Sequence, residues 1–109
     1  MLLKRNPLKL NALQLKTLTI IQALTESGES NSEGRPIPML PPAHGNHFHV
    51  GLHLVMGSDA TGLHNAAVWS ALIRKGLVIG QPPGHSSLTA AGIAYETGMA
   101  EKILHSHDH

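Results

Sequence analysis

The sequence predicts a small α+β domain on three observations. An apolar stripe at helical spacing follows a capping sequence near residue 11. Residues 47–56 alternate apolar and polar with period two. A second capped helical segment begins at residue 66 and runs into a glycine and a short β-branched stretch. With 109 residues the chain, 1–109, is expected to form a single domain around one core of ordinary size. Charged residues are 14% of the chain and the net charge is +1. A disordered, solvating chain would carry far more charge, and nothing in this balance demands a polyanionic partner. Cysteine is absent, which excludes a disulfide scaffold, a thiol nucleophile and a thiolate metal site. Histidine is abundant at nine residues, whereas the aromatics are only Phe48, Trp69 and Tyr95.

The first element is a helix over 12–25. Asn11 is its N-cap, Gln14 completes a capping box, and Leu10 and Leu15 occupy the positions of a hydrophobic staple. The core-facing stripe reads Leu13, Thr17, Ile20, Ile21 and Leu24, and Gly28 marks the stop. Residues 26–46 are rich in Pro, Gly and small polar residues and read as a flexible loop, with 36–42 extended. Residues 47–56 read as one half-buried strand. Phe48, Val50, Leu52, Leu54 and Met56 share one face, while His47, His49, Gly51, His53 and Val55 share the other, with Gly51 a position for a bulge. Ser58 and Asp59 mark a turn, and Asn65 caps a helix over 66–75 that stops at Gly76. Residues 77–79 form a short strand, 80–87 a turn, and Thr89 caps a last helix through about 104, weakened by Gly92 and Gly98. The tail 105–109 is polar and expected to be mobile. The expected core is Leu13, Ile20, Ile21, Leu24, Val50, Leu52, Leu54, Val68, Trp69, Leu72 and Leu77.

The stretch TGLHNAAVWSALIRKGLV at 61–78 resembles the helix-turn-helix core of many bacterial regulators. The residues that match are Thr61, Gly62, Leu63, Val68, Ala71, Leu72, Gly76, Leu77 and Val78. Leu88, Thr89 and Gly92 resemble the phrase that closes the wing of such domains and opens the next helix. The resemblance covers 61–92 and implies a winged helix-turn-helix domain with about three helices and a short antiparallel sheet. It further implies a DNA-binding, transcription-regulator-like protein that acts on double-stranded DNA as a homodimer. Two departures stand out. The recognition helix is a turn short, and residues 54–60 read as strand and turn where a preceding helix belongs.

On this reading the DNA-binding residues are Asn65, Ser70, Arg74 and Lys75. At 100° per residue, the outward face of the helix carries Ala66, Ala67, Ser70 and Arg74, with Lys75 at its edge and Asn65 at its start. Lys4, Arg5, Lys9 and Lys16 add a basic edge, while 80–87 has no Lys or Arg. The alternative is a module that docks a protein partner on its alanine-rich face.

The histidines suggest a second chemistry. His47 and His49 alternate on one strand face about 7 Å apart, and His44 can fold back as a third imidazole ligand for Zn²⁺ or Ni²⁺. The nearest carboxylate in sequence is Asp59, and without a fourth ligand the simpler reading is a solvated strand face. No other cofactor is expected. The same stretch partly resembles the metal motifs of cupin barrels, but His53 stands where their glutamate belongs, Ser87 where a histidine belongs, and the strands are too few. Ser86 and Ser87 beside His85 have no positioned acid, and there is no phosphate-binding glycine loop, so no enzyme is expected. No stretch approaches the roughly 20 apolar residues of a membrane span, and basic residues interrupt the N-terminus. The expected location is the cytoplasm.

Overall fold

The computed structural model describes residues 6–26, 28, 34–38, 47–50, 53–81 and 85–106. Helix α1 spans Ala12–Leu24 and starts as its sequence dictates. The Gln14 amide donates to the Asn11 side chain at 2.8 Å, and the Asn11 amide donates to the Gln14 side chain at 3.0 Å. Leu10, just before the cap, is buried, and Leu15 packs on the same core. The buried face is wider than a stripe: Thr17, Leu18, Thr19, Ile20 and Ile21 are all buried. The two threonines are tolerated there because their hydroxyls bond the Leu13 and Leu15 carbonyls, each at 2.8 Å.

Among the described residues, two three-stranded antiparallel sheets follow this helix in sequence. The first has the order β1-β5-β4, with β1 at Arg35–Pro36, β4 at Val78–Gly80 and β5 at Ser86–Leu88. The expected loop 26–46 therefore contains a strand. Pro36 fits because β1 is an edge strand, where a missing N–H breaks no ladder. Ile37 then turns inward, is buried, and donates its amide to the Ser86 carbonyl at 3.0 Å. Gly34 precedes it at φ +112°, and a Cβ there would strike the Leu88 carbonyl.

The second sheet has the order β2-β3-β6, formed by His47–Val50, His53–Met56 and His105–Ser106. The expected single strand over 47–56 is instead a hairpin, with His47 paired to Met56, His49 to Leu54 and Val50 to His53. Folding back across two residues reverses the parity of the second half. Val55 joins Val50 on the buried face, both with no exposure, while Met56 joins His47 on the outer one. Leu54 accordingly leaves the expected core and His53 leaves the face of His47 and His49. The expected mobile tail also contributes structure, because His105 pairs with Leu54 and Ser106 with His53.

Two 3₁₀ helices, Gly57–Asp59 and Thr61–His64, lead into helix α2 at Ala66–Arg74. Asn65 caps α2 through its side chain. At the other end the Gly76 amide bonds the Ile73 carbonyl and the Leu77 amide the Leu72 carbonyl, both at 3.0 Å, with Gly76 at φ +80°. That is a Schellman stop. The expected last helix is split into α3, Ala90–Ala94, and α4, Ala100–Ile103. Gln22 fixes the end of α3, donating to the carbonyls of Gly92 and Tyr95 at 2.9 and 2.8 Å. The Tyr95 hydroxyl donates to the Asn6 side chain at 2.8 Å and accepts from the Leu8 amide at 3.1 Å. Residues 6–8 are thereby pinned to the end of α3.

One apolar core joins these elements. Val68, Trp69, Leu72 and Leu77 are buried as expected, Leu13 and Leu24 are only partly so, and Leu52 lies outside the described residues. As expected, the chain is a small α+β domain; among the described residues it has four α-helices and two short antiparallel sheets. The succession α1, β1, α2 and the β4–β5 hairpin, with β1 added to that hairpin, is compatible with a winged-helix-like arrangement. No helix among the described residues is long and apolar enough to cross a membrane.

Candidate nucleic-acid interface

Helix α2 turns Val68, Trp69, Ala71 and Leu72 into the core, which leaves Ala66, Ala67, Ser70 and Arg74 outward. The sequence-derived face is therefore present. Its depth is set by Trp69, whose indole N–H donates to the Leu63 carbonyl at 2.8 Å and ties α2 to the preceding 3₁₀ turn. Gly62 in that turn lies against Thr17 of α1, where a Cβ would overlap the threonine hydroxyl.

The four predicted contact residues divide into two pairs. Asn65 is exposed, but its side-chain oxygen accepts the Ala67 amide at 3.0 Å. Bidentate readout of adenine needs that same oxygen, so Asn65 serves as a cap while the helix is capped. Lys75 is half-buried, and its ammonium donates to the Leu8 carbonyl at 2.7 Å. Ser70 and Arg74 stand one turn apart on the exposed side. The bond from Lys75 brings the 6–10 segment, with the exposed Lys9, to the C-terminal end of α2. Sequence spacing gave no signal for that junction.

The predicted basic edge is thinner than its composition. Lys16 is paired with Asp59 at 3.0 Å, and Lys4 and Arg5 lie outside the described residues. The β4–β5 hairpin is closed by the Gln81 amide donating to the His85 carbonyl at 2.8 Å, and both residues are exposed.

Of the predicted metal ligands, His44 lies outside the described residues. His47 and His49 are exposed, with ring centroids 6.0 Å apart and planes at 85°. No three His, Asp or Glu side chains gather into a metal-holding group among the described residues. His53 lies on the opposite face, its Nε2 3.7 Å from a Glu26 carboxylate oxygen. A cleft of about 250 Å³, lined by Thr19, Gln22, Glu26 and Arg35 among others, falls below the size of ordinary small-molecule sites. Its Gln22 amide is already bonded to the end of α3.

No protein-family model matches the chain, and neither the curated proteins nor the solved structures contain a match.

Proposed function

We propose that the protein binds double-stranded DNA through α2 and the β4–β5 hairpin, as a small regulator-like winged-helix protein of the cytoplasm. The observation that supports this reading is the outward face of α2: Ala66, Ala67 and Ser70 present almost no bulk, and Arg74 closes the row. A helix so shaved can sit deep in a major groove about 12 Å wide. Arg74, with Lys9 and Lys75 beside it, then meets the phosphates that flank the groove. Ser70 alone offers little base discrimination, so affinity comes from roughly two to four phosphate contacts per protomer, and useful affinity needs a dimer. Fluorescence anisotropy of a labelled duplex of mixed sequence at ~50 mM salt tests the proposal. Saturable binding is the expected result, and its absence sinks the reading.

One observation favours a second reading. Asn65 and Lys75 each already bond the backbone, and Ala66, Ala67 and Ser70 leave the N-terminal part of the face small and uncharged, a surface suited to close packing against a protein. Ser70→Arg separates the two: it strengthens duplex binding under the first and blocks the docked partner under the second.

A further inference from the structure

We propose that the outer face of the β2–β3 hairpin is a binding site for a soft monovalent cation, Cu(I), held by His47, His49 and Met56. The fold-back of the hairpin creates this set. On a continuous strand Met56 would face away from both histidines, whereas the pairing of His47 with Met56 puts the thioether directly opposite an imidazole. Side chains so paired have Cβ atoms about 4.5–5.5 Å apart, and His49, the diagonal neighbour of Met56, lies about 7–8 Å away, within reach of a long flexible methionine. Met56 is 40% exposed, on the face opposite the fully buried Val55. Both histidines are exposed beside it.

The spacing and the donor types select the ion. Two imidazoles on one metal, with metal–nitrogen bonds near 2.0 Å, place their ring centroids about 5–6 Å apart. The observed 6.0 Å lies at the wide end of that span, where the angle at the metal opens beyond tetrahedral. A thioether beside imidazoles selects Cu(I) over Zn²⁺ or Ni²⁺. The further ligands that Zn²⁺ would demand do not gather among the described residues. His105 shares this face opposite Leu54, but it does not gather with His47 and His49 into a three-ligand group. As β2 is the edge of its sheet, the site opens to solvent.

Competition between the full-length, tag-free protein and a chromophoric Cu(I) chelator, under anaerobic reducing conditions, tests the assignment. One equivalent of Cu(I) is expected to bind. His47→Ala, His49→Ala and Met56→Leu should each weaken it by at least about tenfold, with Trp69 fluorescence unchanged because all three side chains are at the surface. Met56→Leu should leave any Zn²⁺ binding untouched. A His107→Ala/His109→Ala variant should retain the Cu(I) affinity. The proposal is overturned if Met56→Leu binds Cu(I) as tightly as the native chain, if it weakens Zn²⁺ and Cu(I) alike, or if replacing His107 and His109 alone abolishes binding.

Discussion

The ammonium of Lys75 and the carbonyl of Leu8 are joined by a 2.7 Å hydrogen bond that spans most of the chain. Lys75 is the C-cap residue of α2, so the bond docks the segment before α1 onto the end of the helix proposed to meet DNA. Tyr95 holds the same segment from the other side, through Asn6 and the Leu8 amide. The C-terminal end of α2 and the 6–10 segment are therefore tied into one piece.

Lys75→Ala should release that piece. The expected loss of global stability is small, below about 1 kcal/mol, because the bond lies at the surface. The local effect is larger: hydrogen exchange at the Leu8 and Leu10 amides should accelerate, while Arg74→Ala leaves it unchanged. Equal protection in both variants would refute the tether.

Trp69 couples α2 to the turn before it by packing and by its indole bond to Leu63. Trp69→Ala should cost about 3–5 kcal/mol in chemical denaturation. Trp69→Phe keeps most of the apolar area but leaves the Leu63 carbonyl without its donor, for about 1–3 kcal/mol. A loss under 1 kcal/mol for the alanine variant would mean that the ring is not part of the core.

Gly62 has no room for a side chain against Thr17. Gly62→Ala should destabilise the domain by about 1–3 kcal/mol through overpacking. Gly62→Ala combined with Thr17→Ser, which removes the threonine methyl but keeps the hydroxyl, should recover little of the loss, because the overlap is with the hydroxyl itself. Full recovery in the double variant would place the clash elsewhere.

The reciprocal bonds of Asn11 and Gln14 start α1. Asn11→Ala should cost about 0.5–2 kcal/mol, and Asn11→Asp should retain most of the stability. Thermal unfolding of the two variants checks both values, and equal melting temperatures for them would show that the cap is idle.

The parts of the fold legible in the sequence are those set by neighbours in the chain. The Asn11 box, the Asn65 cap and the Gly76 stop depend on side chains within a few residues, and all three are present. The outward face of α2 follows from helical geometry alone and is likewise present. What the sequence concealed depends on partners far along the chain. Arg35 and Pro36 carry no strand signal of their own; β5 recruits them as an edge strand. The alternation through 47–56 runs unbroken across a chain reversal, because a two-residue connection preserves the pattern while exchanging the faces, and only cross-strand pairing distinguishes the two arrangements. Leu18 and Thr19 look like solvent positions of an amphipathic helix, but α1 is surrounded and buries them.

The candidate site follows the same rule. Ser70 and Arg74 could be placed from helical spacing, whereas the capture of Lys75 by Leu8 and of Lys16 by Asp59 could not. The Asp59 carboxylate offsets the charge of Lys16, whereas Lys75 keeps its charge and commits one ammonium proton to the Leu8 carbonyl.

The most direct test of the proposed interface is the salt dependence of duplex affinity for the native chain and for Arg74→Ala. With roughly two to four phosphates neutralised per protomer, log affinity should fall linearly with log salt, and Arg74→Ala should reduce that slope by about one contact per protomer and weaken binding at low salt. Native binding with an unchanged slope in Arg74→Ala, or no duplex binding at ~50 mM salt, would contradict the account.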